Sequence, residues 1–189
     1  MGVGGAAPER VGRGVYNPLY VVNARGVGTG EYRKKHLFSP SGENRWFRRG
    51  VSADVVPTDA GTVGPLICYD LRFPELSRKY FLDGAEVLCV SSQWPSVRRA
   101  HWRFLPVARA VESQACVVAA NAVGPSGPFR YAGDSVIVSP DGERLAKVGE
   151  EEGMALATID PAVVQETRRR IPCLADRNTR AYRKTRRPA

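Results

Sequence analysis

Residues 61–77 read GTVGPLICYDLRFPELS. An almost wholly apolar run from Val63 to Ile67 ends on Cys68, and Tyr69, Asp70, Leu71, Arg72, Phe73, Pro74 and Glu75 follow at once. A short apolar run of this kind reads as a central, buried strand, and Pro74 is placed to open a helix over about 74–83. Cys68 thus closes a strand just ahead of a helix, at the carboxyl end of a sheet, where α/β proteins set their reactive groups. The position fits a buried structural thiol equally well. A free thiol titrates at about 8.5, so a nucleophilic role requires a base or a positive charge beside the sulfur.

Working outward, VYNPLYVVN (15–23) reads as a strand with an edge-type proline, and ARGVGTG (24–30) as the turn into a second strand at 31–37. VSADVVPT (51–58) is a further strand candidate. Beyond the 74–83 helix, AEVLCVSS (85–92) is a buried strand, 98–114 is a longer helix with Trp102, Leu105, Ala108 and Val111 at helical spacing, and ACVVAANAV (115–123) is the next strand. The loop GPSGPFRYAG (124–133) is the best candidate for a mobile rim. Asp141 and Gly142 mark a hairpin turn within 134–148, MALATID (154–160) reads as a strand, and a final helix is capped by Asp160 with Pro161 in its first turn. Strand-helix-strand alternation over 62–123 predicts an α/β sheet core.

With 189 residues, 43% hydrophobic and 25% charged, the chain has the size and composition of one globular domain. Its formal charge of +9 is unevenly spread. From Thr167 onward nine Lys and Arg face one acid, Asp176, whereas residues 1–166 carry a net charge of only +1. The division is a core at 1–166 and a basic tail at 167–189. Without aromatic interleaving the tail reads as solvated, and nucleic acid is not an expected partner. No basic segment leads into an apolar one at the N-terminus, and no run of about 18 apolar residues occurs, so neither a signal peptide nor a membrane span is expected. Four dispersed cysteines and two histidines, His36 and His101, fit neither a zinc site nor a disulfide framework. No metal or cofactor is implied, and a reducing, cytoplasmic location is expected.

A second stretch, GEYRKKHL (30–37), places Lys34 in a row of polar side chains, a pattern that also suits a charged sheet edge. GEYRKKHLF and GPLICYDLRFPELSR together resemble the lysine and cysteine motifs of the nitrilase superfamily of carbon-nitrogen hydrolases. Further stretches match in the same order: SSQWPSVRRAHWRFLPVARAVESQ, AANAVG, YAGDSVIVSPDGE and TIDPAVVQETRRRIPCLADR. The likeness runs from about Tyr16 to Arg177 and is strongest to the omega-amidase-like branch.

The resemblance implies a four-layer α-β-β-α sandwich that pairs with a second copy of the chain, and an amidase acting on a small linear amide, with nitrilase and carbamoylase branches as alternatives. It further implies a Glu, Lys, Cys triad in which Cys68 is the nucleophile and Lys34 the lysine, while the Tyr69 backbone N–H contributes to an oxyanion hole. Glu43 matches a second glutamate kept near the family's pocket. Asp70 and Arg72 are expected to form an ion pair fixing the turn after Cys68, and Glu75 to sit in a helix's first turn, where the dipole favours a carboxylate.

One element of the pattern has no match. The family's general base is a glutamate in an early strand-to-helix turn, and residues 1–25 correspond to the segment just before the lysine motif. The first strands and helices, with that glutamate, are therefore expected to be missing. Glu9, the only acid before Glu31, follows no predicted strand and is a poor substitute. A shortened hydrolase and an inactive paralogue both fit this departure.

Overall fold

The apolar run after Gly61 is a strand, and its neighbours show why it is central. The computed structural model describes residues 1–5 and 8–182. In chain order they form β1 (Gly2–Gly5), β2 (Glu9–Val11), β3 (Gly14–Tyr16), β4 (Pro18–Val22), β5 (Gly28–Arg33), α1 (Glu43–Trp46), β6 (Val56–Thr58), β7 (Gly61–Ile67), α2 (Pro74–Leu82), β8 (Val87–Ser92), α3 (Arg99–Ser113), β9 (Cys116–Asn121), β10 (Val123–Ser126), β11 (Phe129–Ala132), β12 (Val136–Val138), β13 (Arg144–Lys147) and α4 (Pro161–Arg170).

Six strands make a mixed sheet in the order β13-β12-β9-β8-β7-β6. Its middle, β7-β8-β9, is parallel, with α2 and α3 as the crossovers. A parallel sheet covered on both faces needs continuous apolar strands, and Val63, Leu66, Leu88, Val90, Val117 and Ala119 are all buried. Gly64 is a glycine for reasons of space: a Cβ there would come within 2.8 Å of the Tyr80 ring and 2.9 Å of Leu88, so its absence lets α2 lie close on the strand. Tyr80 completes that contact by donating its hydroxyl to the Pro65 carbonyl at 2.9 Å.

The opposite face carries a three-stranded antiparallel sheet, β1-β4-β5. Gly30 of β5 lies against Val56 of β6, and Gly5 of β1 against Ser91 of β8. Helices on sheet on sheet is the mixed α/β arrangement expected, with the α-β-β layers of the sandwich present among the described residues. Helix α4 begins at its Asp160 cap, which accepts from the Ala162 N–H at 2.8 Å. It closes the end of the parallel strands, where Arg168 donates to the Ala85 and Gln114 carbonyls and its guanidinium lies over the Phe81 ring. The division placed at 166/167 falls inside this helix. Arg183, Lys184, Arg186 and Arg187 of the basic run lie outside the described residues.

Four local expectations change. The strand at 31–37 ends at Arg33, and Lys34 sits just past it. MALATID forms no strand among the described residues: Met154 and Leu156 are 79% and 78% exposed, so their alternation meets no neighbouring edge. The rim at 124–133 is a hairpin, β10-β11, turned at Gly127, whose φ of 55° suits a glycine. The segment before APERVG is strand β1, paired with β4 from Gly2↔Val22 to Gly5↔Leu19. Glycines gave it no sequence signature of a strand. Among the described residues no helix is long and apolar enough to cross a membrane.

Candidate active site

Parallel register decides where the site lies. Ile67 pairs with Ser91, and Ser92 with Asn121, so β7, β8 and β9 end side by side. Cys68, Ser91, Ser92 and Asn121 accordingly share one wall of an open cavity of about 910 Å3, which Lys34, Glu43, Tyr69, Arg72, Arg98 and the hairpin residues Phe129 and Tyr131 complete.

Cys68 begins a short 3-10 turn, Cys68–Arg72, that follows the strand without a spacer. Its φ is 47°, in the left-handed region. Such a conformation costs a residue with a Cβ on the order of 1–3 kcal/mol and persists where surrounding structure holds it. As the second residue of the turn, Tyr69 has a backbone N–H that no carbonyl of the turn can satisfy. The Tyr69 ring meets Phe38 and Phe73 edge-on, at centroid distances of 5.0 and 5.1 Å.

Lys34 reaches the cavity from the other sheet. Its backbone is pinned on both sides, by its own N–H to the Asn17 carbonyl and by the Gly50 N–H to its carbonyl, both at 2.9 Å. The side chain is 4% exposed, and Nζ lies 2.9 and 2.7 Å from the two oxygens of Glu43. An ammonium has three protons, so one remains for another acceptor. Glu43 opens α1 and also accepts from the Phe38 N–H at 2.7 Å and from Asn17 Nδ2 at 3.3 Å. With four donors on two oxygens, its acceptor sites are filled.

The expected Asp70–Arg72 ion pair does not form. Asp70 is wholly buried and takes its donors from Tyr32, His36 and Ile67, leaving no face for a guanidinium. Arg72 instead lies over the Trp94 ring at 4.7 Å and donates to His101 Nδ1 at 2.9 Å. Burial first, then the neighbouring Arg98, hold Arg72 below the usual arginine range, against the pull of Tyr69 and Cys68. Arg98 stands over the Phe38 ring at 5.3 Å. Neither guanidinium has an acid within ion-pair distance among the described residues. Sequence reading assigned Arg72 to the ion pair with Asp70 and passed over Arg98, since their actual partners are distant aromatics.

Glu75 is exposed in the first turn of α2, as the dipole argument expects. Glu9 faces Arg33 at 3.5 Å and does not line the cavity. The other cysteines differ sharply from Cys68. Burial pushes the Cys89 thiol up to about 12 and that of Cys116 up to about 11, while Cys173 is exposed and far along the chain.

The carbon-nitrogen hydrolase family model matches residues 1–169. The chain belongs to that family. It is 40% identical over 174 residues to the 2-oxoglutaramate amidase of Bacillus subtilis, covering 92% of this chain and 67% of that one. Saccharomyces cerevisiae Nit3, a member of branch 10 of the nitrilase superfamily, superposes with a TM-score of 0.83 at 30% identity, covering 92% of this chain and 64% of that one. An amidase variant from Nesterenkonia sp. AN1, solved with the acetamide moiety of fluoroacetamide added covalently at its active-site cysteine, has a TM-score of 0.82 at 26% identity and covers 95% of this chain and 65% of that one. The chain spans about half to two thirds of the length of the curated relatives it matches.

Limited alkylation with iodoacetamide, resolved by peptide mass spectrometry, should label Cys68 at least tenfold faster than Cys89 or Cys116, because those thiols are buried and held neutral. Lys34→Met should slow Cys68 selectively, with exposed Cys173 as the unaffected control. Equal labelling of all native thiols, or a Cys68 rate indifferent to Lys34→Met, would mean that the two side chains do not act on one another.

Proposed function

We propose that this carbon-nitrogen hydrolase cleaves a small linear amide through a thioester on Cys68. The observation carrying the proposal is the meeting, in one cavity, of a strained cysteine turn with a buried Lys34–Glu43 ion pair. Attack of Sγ on the amide carbon moves the carbonyl π pair onto oxygen. In this reading the remaining Lys34 N–H and the Tyr69 N–H receive that charge, and loss of one such donor typically costs about a hundred- to a thousandfold. Collapse of the tetrahedral species breaks the C–N bond, and the nitrogen leaves as ammonia with a proton delivered to it. Water then attacks the thioester, releasing the acid and restoring the thiol.

Both halves need a proton acceptor. Glu43 is the one acid lining the cavity, and neither Ala6, Ala7 nor residues 183–189 include another. Its acceptor sites are already filled, so it serves first to orient Lys34. The 189-residue chain is therefore expected to acylate slowly and to turn over far below the roughly 10 per second common among enzymes. The same saturation favours, as a second reading, a chain that binds amides without hydrolysing them.

Arg72 and Arg98 support an anionic substrate, a monoamide of a small dicarboxylic acid, whose free carboxylate would meet the guanidiniums while its amide reaches Cys68. A panel of such monoamides, neutral amides, nitriles and carbamoyl amino acids tests this by intact-mass spectrometry and ammonia assay. The expected result is an adduct of substrate minus ammonia on Cys68, formed at least tenfold faster with dicarboxylate monoamides and absent in Cys68→Ala. Preference for a neutral amide or a nitrile, or an adduct surviving Cys68→Ala, would overturn it. Ordinary steady-state rates would make Glu43 the base.

The reading includes a second copy of the chain as partner and a cytoplasmic location, the latter supported by four free thiols. Phe104 and Val111 lie seven residues apart on α3, hence on one face, and both are exposed. Light scattering should give about twice 20.7 kDa, and Phe104→Glu should halve that mass. A monomer at micromolar concentration would contradict it.

A further inference from the structure

Cys68 and Lys34 come from different sheets, and a single buried carboxylate ties their backbones together. Asp70 Oδ2 accepts from the Tyr32 hydroxyl at 2.7 Å and from the Ile67 N–H at 3.1 Å. Its Oδ1 accepts from the His36 N–H at 2.9 Å and lies 2.8 Å from His36 Nδ1. A carboxylate can only accept, so that second contact places the His36 proton on Nδ1. Tyr32 and His36 stand two residues before and two after Lys34, and Ile67 immediately precedes Cys68. Four donors from both functional segments thus converge on a side chain with no solvent exposure.

The far end of the turn is clamped as well. The His36 ring stacks on Phe73, the residue that follows the 3-10 turn, at 3.6 Å and 9° between planes. Nothing in the cavity requires this arrangement chemically. Asp70 does not line the cavity, and Cys68, the residue next to the Ile67 it holds, is in a backbone conformation that needs holding.

We infer that Asp70 is a positioning residue: it sets the separation of the Cys68 sulfur from the Lys34 ammonium by bridging the strand end at Ile67 to Tyr32 and His36. The inference rests on the reading of Cys68 as nucleophile and Lys34 as its charged neighbour. Replacing the carboxylate by an amide substitutes a donor for one acceptor, which sets Nδ2 against two of the four N–H and O–H groups. The two segments are then free to part. Lys34 loses its hold on the sulfur although Lys34, Glu43 and Cys68 are all still present.

Alkylation of Cys68 against Cys173 in the same molecule reads this directly. Asp70→Asn should slow Cys68 at least fivefold at neutral pH and move its rate profile to higher pH in the same direction as Lys34→Met, with Cys173 unchanged and Cys89 and Cys116 still protected. In the Lys34→Met background, Asp70→Asn should add less than a twofold effect, because both changes remove one interaction. A purely structural role predicts full, multiplicative slowing in that background and no displaced profile. Tyr32→Phe removes a single donor while keeping the ring. It should slow Cys68 two- to threefold, and it decides the matter if Asp70→Asn fails to fold. Parental Cys68 reactivity in a folded Asp70→Asn, or in Tyr32→Phe when the former does not fold, overturns the inference. A parent chain whose Cys68 is indifferent to Lys34→Met overturns the nucleophile reading itself, and this one with it.

Discussion

The buried ion pair between Lys34 and Glu43 is the contact on which the site depends. A lysine brought to 4% exposure needs a carboxylate in good geometry, because leaving one member of such a pair unpartnered costs about 3–5 kcal/mol. Satisfying that need shapes its surroundings. Glu43 must open a short helix, the Phe38 N–H must turn inward to it, and Asn17 must interrupt β3 and β4 to reach both Glu43 and the Lys34 backbone. The result is a cation delivered to the carboxyl end of the parallel strands from a sheet that contains none of them.

Against that cation the larger sheet sets a cysteine in a left-handed turn. The two halves are independent in topology, one three-stranded antiparallel sheet and one sheet with a parallel middle, and they meet without a shared strand. Asp70 supplies a polar joint, with Tyr32 and His36 on one side and Ile67 on the other, beside the apolar core in which Leu19 and Val21 share a cluster with Leu66 and Leu88. Its burial is tolerable because every acceptor site has a donor. The aromatic ring of Phe73 on His36 keeps the same joint closed from the surface.

Much of this was legible in the residues. The apolar run from Val63 to Ile67 identified the central strand, Pro74 the helix start, Asp160 and Pro161 the last helix, and Asp141–Gly142 the hairpin, because each is a local rule. The nitrilase-type motifs named Cys68, Lys34, Glu43 and Tyr69 as residues of one site, and the fold brings all four to one cavity. What escaped was long-range. Nothing near Asp70 in sequence reveals that its side-chain partners Tyr32 and His36 are 38 and 34 residues away, so the nearby Arg72 looked like its natural counter-ion. Arg72 and Arg98 stand on tryptophan and phenylalanine faces that only the folded chain supplies. Met154 and Leu156 alternate as a strand would, yet a strand exists only where another edge accepts it, and none does there.

The central claim is that Lys34 and the Tyr69 N–H converge on the oxygen of a species bound to Cys68. An aldehyde analogue of a dicarboxylate monoamide would add to the thiol as a hemithioacetal, placing an oxygen where the tetrahedral intermediate carries its charge. A crystal structure of that adduct should show the oxygen about 2.7–3.1 Å from both Lys34 Nζ and the Tyr69 nitrogen, with Glu43 still on Lys34. An adduct on Cys68 whose oxygen points to solvent, with Lys34 beyond hydrogen-bond reach, would contradict the account.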